Sequence, residues 1–294
     1  MATCRLQLRM ADSPPRAPRS DSPEALELQK LKAEQPALAP AVDMQLALLD
    51  MQRRVQSRVP LPWIQADPAW VRAQYAAGRP VVRFGDIPID WTDFRLTLRQ
   101  TADILRRFDA LDRADYDQIV AFGREHDLEP QVARWYEQTS GRSSETSEER
   151  PGAPAGMDQV LALALRPFLA RCAEVLMPRA ESPATPSGRC PFCGWEPEFS
   201  VITPSADRRL VCGRCLGQWV FDPLACPFCG NNDRTRITSF ATRDGRYRVY
   251  GCDMCHRYLK AYDGRGASRP MMLGVDTIAT LPLDAAALQR GYVA

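Results

Sequence analysis

The 294 residues are enough for about two domains, and the 45% hydrophobic content is that of an ordinary globular protein. The net charge of +2 gives the chain no general attraction to nucleic acid or to anionic membranes. No apolar run approaches the roughly 18 residues of a membrane-spanning helix, so no membrane insertion is predicted.

The first half of the chain is predicted to be a helical domain behind a disordered tail. Residues 1–22 are rich in Pro, Ser and Arg, and they lack the hydrophobic segment and the cleavage site of a secretory signal. Over residues 23–139, apolar residues recur at helical spacing, with enough aliphatic and aromatic side chains for a separate core. The predicted helices are a weak one at Leu26–Leu31, one from an Asp43 N-cap to Ser57, a short one from Asp67 to Gly78, and three at Thr92–Phe108, Asp115–Phe122 and Glu129–Gln138.

A polar linker and one more helix follow. Residues 140–156 are rich in Ser, Glu, Gly and Pro, a composition typical of a flexible linker. Residues 157–188 carry a predicted helix at Asp158–Leu176 that is expected to pack onto the helical domain and to kink at Pro167. Cys172 lies among the apolar positions of this helix and is predicted to be a small buried hydrophobe rather than a ligand.

Cysteine spacing is the strongest signal in the sequence. Eight of the ten cysteines form four C-x-x-C pairs, which occur as CPFCG, CGRC, CPFCG and CDMC, while Cys4 in the tail is predicted to be an incidental thiol. Two pairs supply the four sulfurs of one tetrahedral site, so two four-sulfur metal centres are predicted. The repeated pattern favours sequential pairing, with Cys190, Cys193, Cys212 and Cys215 on one metal and Cys226, Cys229, Cys252 and Cys255 on the other. A cross-braced alternative, in which the first and third pairs share a metal, uses the same residues and stays open.

Each repeat predicts a small β unit around its metal. Gly194 and Gly230 follow the second cysteine of a pair, where glycine suits the left-handed backbone that closes a metal-binding turn. Residues 189–224 are predicted to be the first metal-binding unit, 225–270 the second, and 271–294 a C-terminal extension with an extended piece and a short helix. The predicted strands are Glu198–Ile202, Leu210–Cys212, Gln218–Phe221, Arg236–Phe240, Tyr247–Gly251 and Tyr258–Tyr262, and the short helix is Leu283–Gln289.

Metal binding is preferred over disulfide bonding and over catalysis. Without a secretory signal the protein is expected in the cytoplasm, where thiols stay reduced. Both predicted sulfur sets are complete, so neither leaves an open position for a substrate. No phosphate-binding loop, dinucleotide fingerprint or nucleophile elbow occurs, and no enzyme is predicted. His126 stands alone in a polar loop, and His256 is predicted to be an exposed residue of the last turn rather than a donor to sulfur.

The residues alone leave the metal open, because zinc and iron both accept four thiolates. A nucleic-acid-binding zinc ribbon is an alternative function. Residues 189–270 hold thirteen Lys/Arg and eight Asp/Glu, and two tetrathiolate centres nearly cancel that surplus of positive charge. Tyrosines interleave with arginines from Arg243 to Tyr262, as they do in a base-stacking surface, but alternating strand faces are the preferred interpretation. Nucleic acid is therefore not favoured as a partner.

Taken together, the motifs resemble a known family. The segments CPFCG, VCGRCLGQW, ACPFCG and CDMCHRYLK, followed by a tail that ends in Gly291-Tyr292, are similar to the formate dehydrogenase accessory protein (FdhE-type) family, most closely over residues 188–292. Trp219, the Tyr258-Leu259-Lys260 segment and the tail motif from Asp276 to Asp284 fit the family pattern. The resemblance implies a cytoplasmic, non-catalytic assembly factor that binds the catalytic subunit of respiratory formate dehydrogenase before its twin-arginine export. It also implies rubredoxin-like centres that bind iron, with zinc as the alternative.

The predicted fold class is α+β, with a helical N-terminal domain followed by two tandem rubredoxin-like or zinc-ribbon-like units. The predicted function is the accessory role that the resemblance implies, carried out with two Cys4 metal centres and no catalytic residue. A rubredoxin-like electron carrier and a nucleic-acid-binding zinc-ribbon protein are the alternatives. Whether the protein forms a homodimer stays open.

Overall fold

The structure is a computed structural model that describes residues 22–64, 67–141, 156–177 and 187–294. Residues 1–21 of the predicted N-terminal tail, which include Cys4, lie outside the described residues. Nearly all of the predicted linker lies outside them as well.

Seven α-helices precede the cysteine region in the described part of the chain, and all seven predicted helices are present. They are α1 (Pro23–Glu34), α2 (Ala39–Gln56), α3 (Pro68–Ala76), α4 (Trp91–Arg107), α5 (Arg113–Phe122), α6 (Leu128–Ser140) and α7 (Met157–Leu176). Side-chain oxygens of Ser22, Asp67, Asp90 and Asp112 accept hydrogen bonds of 2.7–3.1 Å from N–H groups of the first turns. These caps satisfy donors that have no partner inside the helix, and they set the starting points of four helices.

Helix α2 begins before its predicted N-cap. It starts at Ala39, with Pro40 in its first turn, where the missing proline N–H costs no hydrogen bond. Asp43 therefore lies inside the helix, and its carboxylate pairs with Lys32 of α1 at 2.6 Å. The prediction of Asp43 as an N-cap is wrong, because the residue serves a contact between two helices instead.

Helix α7 is the central helix of the N-terminal half, where it packs against α2 and α4. Its buried residues surround most of the helix, a distribution typical of a helix enclosed by others. The helix continues through Pro167 to Leu176. Cys172 is fully buried, its thiol lies 3.6 Å from the Phe168 carbonyl, and burial raises the pKa of this thiol to about 12. The prediction of Cys172 as a small buried hydrophobe is confirmed.

The strands of both cysteine repeats join into one six-stranded sheet. The strands are β1 (Pro197–Ile202), β2 (Arg208–Cys212), β3 (Gln218–Val220), β4 (Ile237–Ala241), β5 (Tyr247–Cys252) and β6 (Tyr258–Asp263). Their order is β3-β2-β1-β6-β5-β4. Each repeat contributes three antiparallel strands, and β1 pairs with β6 in parallel, from Phe199 opposite Lys260 to Ile202 opposite Asp263. The first strand of one repeat is thus hydrogen-bonded to the last strand of the other.

The two halves of the chain share a hydrophobic core. Phe192, Leu210 and Trp219 of the first repeat belong to the same contiguous cluster as the buried residues of α2, α4, α6 and α7. A second cluster contains tyrosines and aliphatic residues of the sheet together with residues of the C-terminal helices. The first repeat is therefore packed directly into the helical half.

The C-terminal extension holds two helices, α8 (Leu273–Ala279) and α9 (Leu281–Gln289). The predicted short helix is α9, but the predicted extended piece before it is wrong, because α8 occupies most of it. Val275 and Ile278 of α8 are buried against α1 and α2, and Asp276 accepts a hydrogen bond from the Met272 N–H at 2.7 Å. Long-range packing and this local hydrogen bond stabilise α8, whose seven residues are too few to be predicted as a helix from their sequence alone.

The predicted fold class is confirmed, since a helical N-terminal region is followed by a sheet that carries two four-cysteine clusters. Within the described residues, the helices are too short or too polar to cross a membrane.

Candidate metal centres

The eight cysteines of the C-x-x-C pairs gather into two clusters of four. Centre 1 contains Cys190, Cys193, Cys212 and Cys215, and centre 2 contains Cys226, Cys229, Cys252 and Cys255. Within each centre the four Sγ atoms lie within 4.8 Å of one another. The structure therefore groups the pairs sequentially along the chain and does not cross-brace them.

The sulfur spacing suits a tetrahedral ion in both centres. The Sγ atoms of Cys190 and Cys215 are 3.5 Å apart in centre 1, and those of Cys226 and Cys255 are 3.7 Å apart in centre 2. Four thiolates at about 2.3 Å from one ion stand about 3.8 Å from each other, whereas disulfide sulfurs are about 2.05 Å apart. Each cluster could thus hold one metal ion, and a four-thiolate donor set fits zinc or iron.

All four C-x-x-C pairs form the same turn. In each, the first cysteine donates its N–H to the carbonyl five residues later and accepts from the N–H four residues later, at 2.7–3.1 Å. The residue after the second cysteine is left-handed in every turn, with φ between 55° and 74°, at Gly194, Leu216, Gly230 and His256. The predicted role of the two glycines is confirmed, and His256 is an exposed turn residue as predicted.

N–H groups donate hydrogen bonds to sulfur in both centres, and in centre 2 these include backbone groups of the turns that follow Cys226 and Cys252. In centre 1 the N–H groups of Arg214 and Cys215 lie 3.4 and 3.5 Å from the Cys212 sulfur, and that of Gly217 lies 3.4 Å from the Cys215 sulfur. In centre 2 the Asn231 side-chain amide lies 3.8 Å from the Cys252 sulfur. Donors aimed at sulfur favour the thiolate form that a metal ion requires.

The two centres differ most in burial. All four cysteines of centre 1 are buried in the core shared with the helices. In centre 2, Cys226 and Cys252 are buried, Cys255 is half-buried and Cys229 is exposed. Met254, in the last turn, is 58% exposed beside this open edge. Centre 1 is thus sealed from solvent, and centre 2 reaches the surface.

Burial raises the pKa of Cys190, Cys215 and Cys226 in the absence of an ion. Desolvation raises the pKa of Cys190 and of Cys215 well above the usual range. In centre 2 desolvation raises the pKa of Cys226 to about 11. These thiols are protonated at neutral pH without a metal, so metal binding must release protons.

The tail motif from Asp276 to Asp284 supports the sheet from its outer face. Asp276 is fully buried and accepts hydrogen bonds from the Tyr247 hydroxyl at 2.7 Å and from Arg269 at 2.6 Å. Asp284 accepts from the Tyr258 hydroxyl and from Lys260, both at 2.7 Å. Of the tyrosines that suggested a stacking surface, Tyr247 and Tyr258 are therefore buried and held by these two carboxylates.

The chain terminus covers the last turn of centre 2. The Tyr292 ring lies so close to Gly251 that a Cβ on the glycine would stand 2.6 Å from it, and the Tyr292 hydroxyl donates to Asp253 at 2.5 Å. Val293 bonds through its backbone to His256 and Tyr258 at 2.7 and 3.0 Å. The tail that ends in Gly291-Tyr292 thus fastens the chain end onto a metal-binding turn.

Two arginines escaped the sequence analysis as parts of the centres. Arg214, inside the second C-x-x-C pair, is fully buried, and Arg208 on β2 is nearly so. Arg208 donates to the Ala225 carbonyl at 2.8 Å, one residue before Cys226. Their signal in the sequence is the placement of arginine within a C-x-x-C pair or on the strand before one, which by itself does not indicate burial.

No family model matches the chain. Protein FdhE homolog of Shewanella sp. (strain MR-4) is 35% identical over 107 residues, which are 35% of this chain and 35% of that protein. Protein FdhE homolog of Aquifex aeolicus (strain VF5) is 31% identical over 111 residues, which are 35% of this chain and 38% of that protein. The matches thus span little more than a third of these relatives.

The crystal structure of the FdhE protein from Pseudomonas aeruginosa has the same fold. It superposes with a TM-score of 0.60 and 21% identity, over 92% of this chain and 91% of that one. The resemblance to the FdhE-type family is confirmed. The FdhE-type fold extends through the helical half, where the sequence motifs are weakest, as well as through both metal centres.

Proposed function

We propose that the protein is a cytoplasmic accessory factor for respiratory formate dehydrogenase, without catalytic activity of its own. In this role it binds the catalytic subunit of the dehydrogenase and is needed for its maturation before twin-arginine export. The observation that carries the proposal is the FdhE likeness, seen both in identities of 31–35% with FdhE homologues and in the fold. The site chemistry agrees, because four sulfurs per centre leave no position for a substrate.

The eight cysteines are the proposed ligands of two metal ions, one in each centre, with iron favoured over zinc. A four-thiolate iron site can exchange one electron, whereas zinc in the same site is redox-silent. The chain supplies buried thiols, N–H donors to sulfur and rigid turns, which together hold the ligands at tetrahedral spacing. The iron assignment comes from the family resemblance, since sulfur geometry suits both metals.

Co-expression with a formate dehydrogenase catalytic subunit tests the accessory role. A tagged copy of the chain is expected to capture that subunit, and to restore respiratory formate dehydrogenase activity in a bacterium whose own FdhE protein has been deleted. Cys193→Ser, in centre 1, should abolish both effects. Cys172→Ala removes a buried cysteine outside the centres and serves as the matched control. Failure of the unaltered chain in both assays would refute the proposal.

Electron transfer is the second candidate function, and the open edge of centre 2 favours it. Cys229 is exposed, so an iron ion held there would lie close to a docked redox partner. Anaerobic purification with metal analysis and a visible spectrum decides between the candidates. Two irons with thiolate-to-iron absorption bands and a reversible potential would keep the carrier role, and colourless protein with two zincs would remove it.

A further inference from the structure

Arg214 is a fully buried cation in an aromatic cage. Its guanidinium carbon lies 4.4 Å from the ring centroid of Tyr136, 4.5 Å from that of Trp195 and 5.3 Å from that of Trp135. It donates to Thr139 Oγ1 at 2.9 Å, to Ser140 Oγ at 2.7 Å and to the Cys193 carbonyl at 2.8 Å. All of these partners are neutral, and they come from the end of α6 and from the first turn of centre 1.

No carboxylate pairs with Arg214 within the described residues, whereas two partly buried arginines, Arg166 and Arg269, each have one. Arg166 lies 3.6 Å from Glu198, and Arg269 lies 2.6 Å from Asp276. An isolated buried charge is costly, so a buried guanidinium needs an opposite charge nearby. The sulfurs of centre 1, which would carry negative charge around a bound metal ion, lie next to Arg214, since its own N–H lies 3.4 Å from the Cys212 sulfur and its side chain donates to the Cys193 carbonyl.

The charge of Arg214 is complementary to the charge that centre 1 would carry with a metal ion bound. Four thiolates around a divalent ion carry a net charge of −2, and around a ferric ion they carry −1. The single positive charge of Arg214 offsets half of the −2 charge of a divalent centre and all of the −1 charge of a ferric centre. It stabilises the ferrous or zinc-bound form more than the ferric form, because the attraction grows with the negative charge of the centre.

We propose that Arg214 is the internal counter-ion of centre 1, a positioning residue that ties the charge of the centre to the packing of α6. With metal, the charged centre holds the guanidinium, and the guanidinium holds Thr139 and Ser140 at the end of α6. Metal loading of centre 1 and closure of the helical half onto the sheet are therefore coupled.

The contacts around the cage agree with this coupling. The Val81 and Val82 N–H groups bond the carbonyls of Pro191 and Phe192 at 3.0 and 2.8 Å, so the first turn is hydrogen-bonded to a loop of the helical half. The Tyr136 hydroxyl donates to the Val82 carbonyl at 2.9 Å and joins this loop to the cage. One metal-binding turn thus connects the sheet, a helix end and a loop.

Two substitutions separate the charge of Arg214 from its packing. Arg214→Gln removes the charge and keeps a hydrogen-bond donor, while Arg214→Lys keeps the charge and loses the planar fork. The full-length chain is loaded anaerobically with ferrous iron for redox titration, and separately with zinc for chelator competition. Arg269→Met is the control, because it removes a partly buried arginine whose partner is the Asp276 carboxylate rather than a metal centre.

The Gln variant is expected to lower the midpoint potential of one of the two irons and to weaken zinc binding of one site by about 10–100-fold. In the Lys variant, the midpoint potential and the zinc affinity should both stay closer to the wild-type values than in the Gln variant. Arg269→Met should reduce stability and leave both properties unchanged. If the Arg214→Gln variant does not fold, the proposal is tested by comparing zinc retention in the Arg214→Lys variant with that of the wild type. Equal potentials and zinc affinities in wild type, Lys and Gln, or a Lys variant that loses zinc as readily as Cys193→Ser, would overturn the proposal.

Discussion

Gly194 and Gly230 occupy equivalent positions in the two CPFCG turns, and alanine at each position tests how the first turn is docked. Both residues are left-handed, with φ of +72° and +74°. An L-residue in that conformation costs about 1–2 kcal/mol. Around Gly230 there is open space, whereas a Cβ on Gly194 would overlap the backbone carbonyl of Ser140 at the end of α6. Gly230→Ala is therefore expected to cost about 1–2 kcal/mol of folding free energy.

Gly194→Ala should cost more, because the overlap adds about 1–3 kcal/mol of packing strain, for a total of about 2–5 kcal/mol. Urea unfolding of the metal-loaded protein at a fixed free-metal concentration, followed by the helical circular dichroism signal, measures both variants. Movement of the first turn away from α6 would also displace Arg214 from Ser140. Equal losses of stability for the two variants would refute the docking of the first turn against α6.

Other outcomes follow from the same contacts. Asp276→Ala leaves Arg269 without its buried partner and should destabilise the fold by about 3–5 kcal/mol. Asp50→Ala removes an exposed ion pair with Arg54 and should cost only about 0–1 kcal/mol. Thermal unfolding of the two variants measures this difference. Because burial raises the pKa of Cys190 and Cys215, and that of Cys226 to about 11, metal affinity should fall as pH falls, and zinc titrations between pH 6 and 8 would contradict this if they were flat. After chelation of the metal, Cys229 should react with iodoacetamide faster than Cys193, which mass spectrometry can show; similar rates would mean that centre 1 is not sealed. Tyr292→Ala should speed zinc loss from centre 2 alone, as seen in two-phase chelator release, and loss from both centres at once would contradict its local role.

The local structure follows from the sequence to a large extent. C-x-x-C spacing, with glycine after two of the pairs, predicts the turns, and the structure groups their cysteines in the sequential order that the repeat favours. Strand positions also agree, because apolar and polar residues alternate between turns. The start of α2 was missed, since a proline in the first turn and a favourable N-cap candidate at Asp43 compete as signals, and local sequence does not rank them.

The long-range structure could not be predicted from these patterns. The parallel pairing of β1 with β6 joins residues about sixty positions apart, and no local motif specifies it. The cage of Arg214 requires Tyr136 of α6 and Trp195 of the first repeat to meet, although the whole of α7 lies between them in the chain. The FdhE resemblance implied the metal sites and the overall class without indicating which centre lies in the core.

The two repeats share one turn geometry and have acquired different surroundings. Centre 1 has its cysteines, Phe192 and Trp219 in the core of the helical half, so a metal ion bound there would contribute to the folding of more than its own repeat. In centre 2, Tyr292 packs over the last metal-binding turn, and Cys229 is exposed at the surface. Because the sulfur geometry is nearly equal in the two centres, the main difference between them lies in these surroundings, which seal centre 1 and leave centre 2 open to the surface.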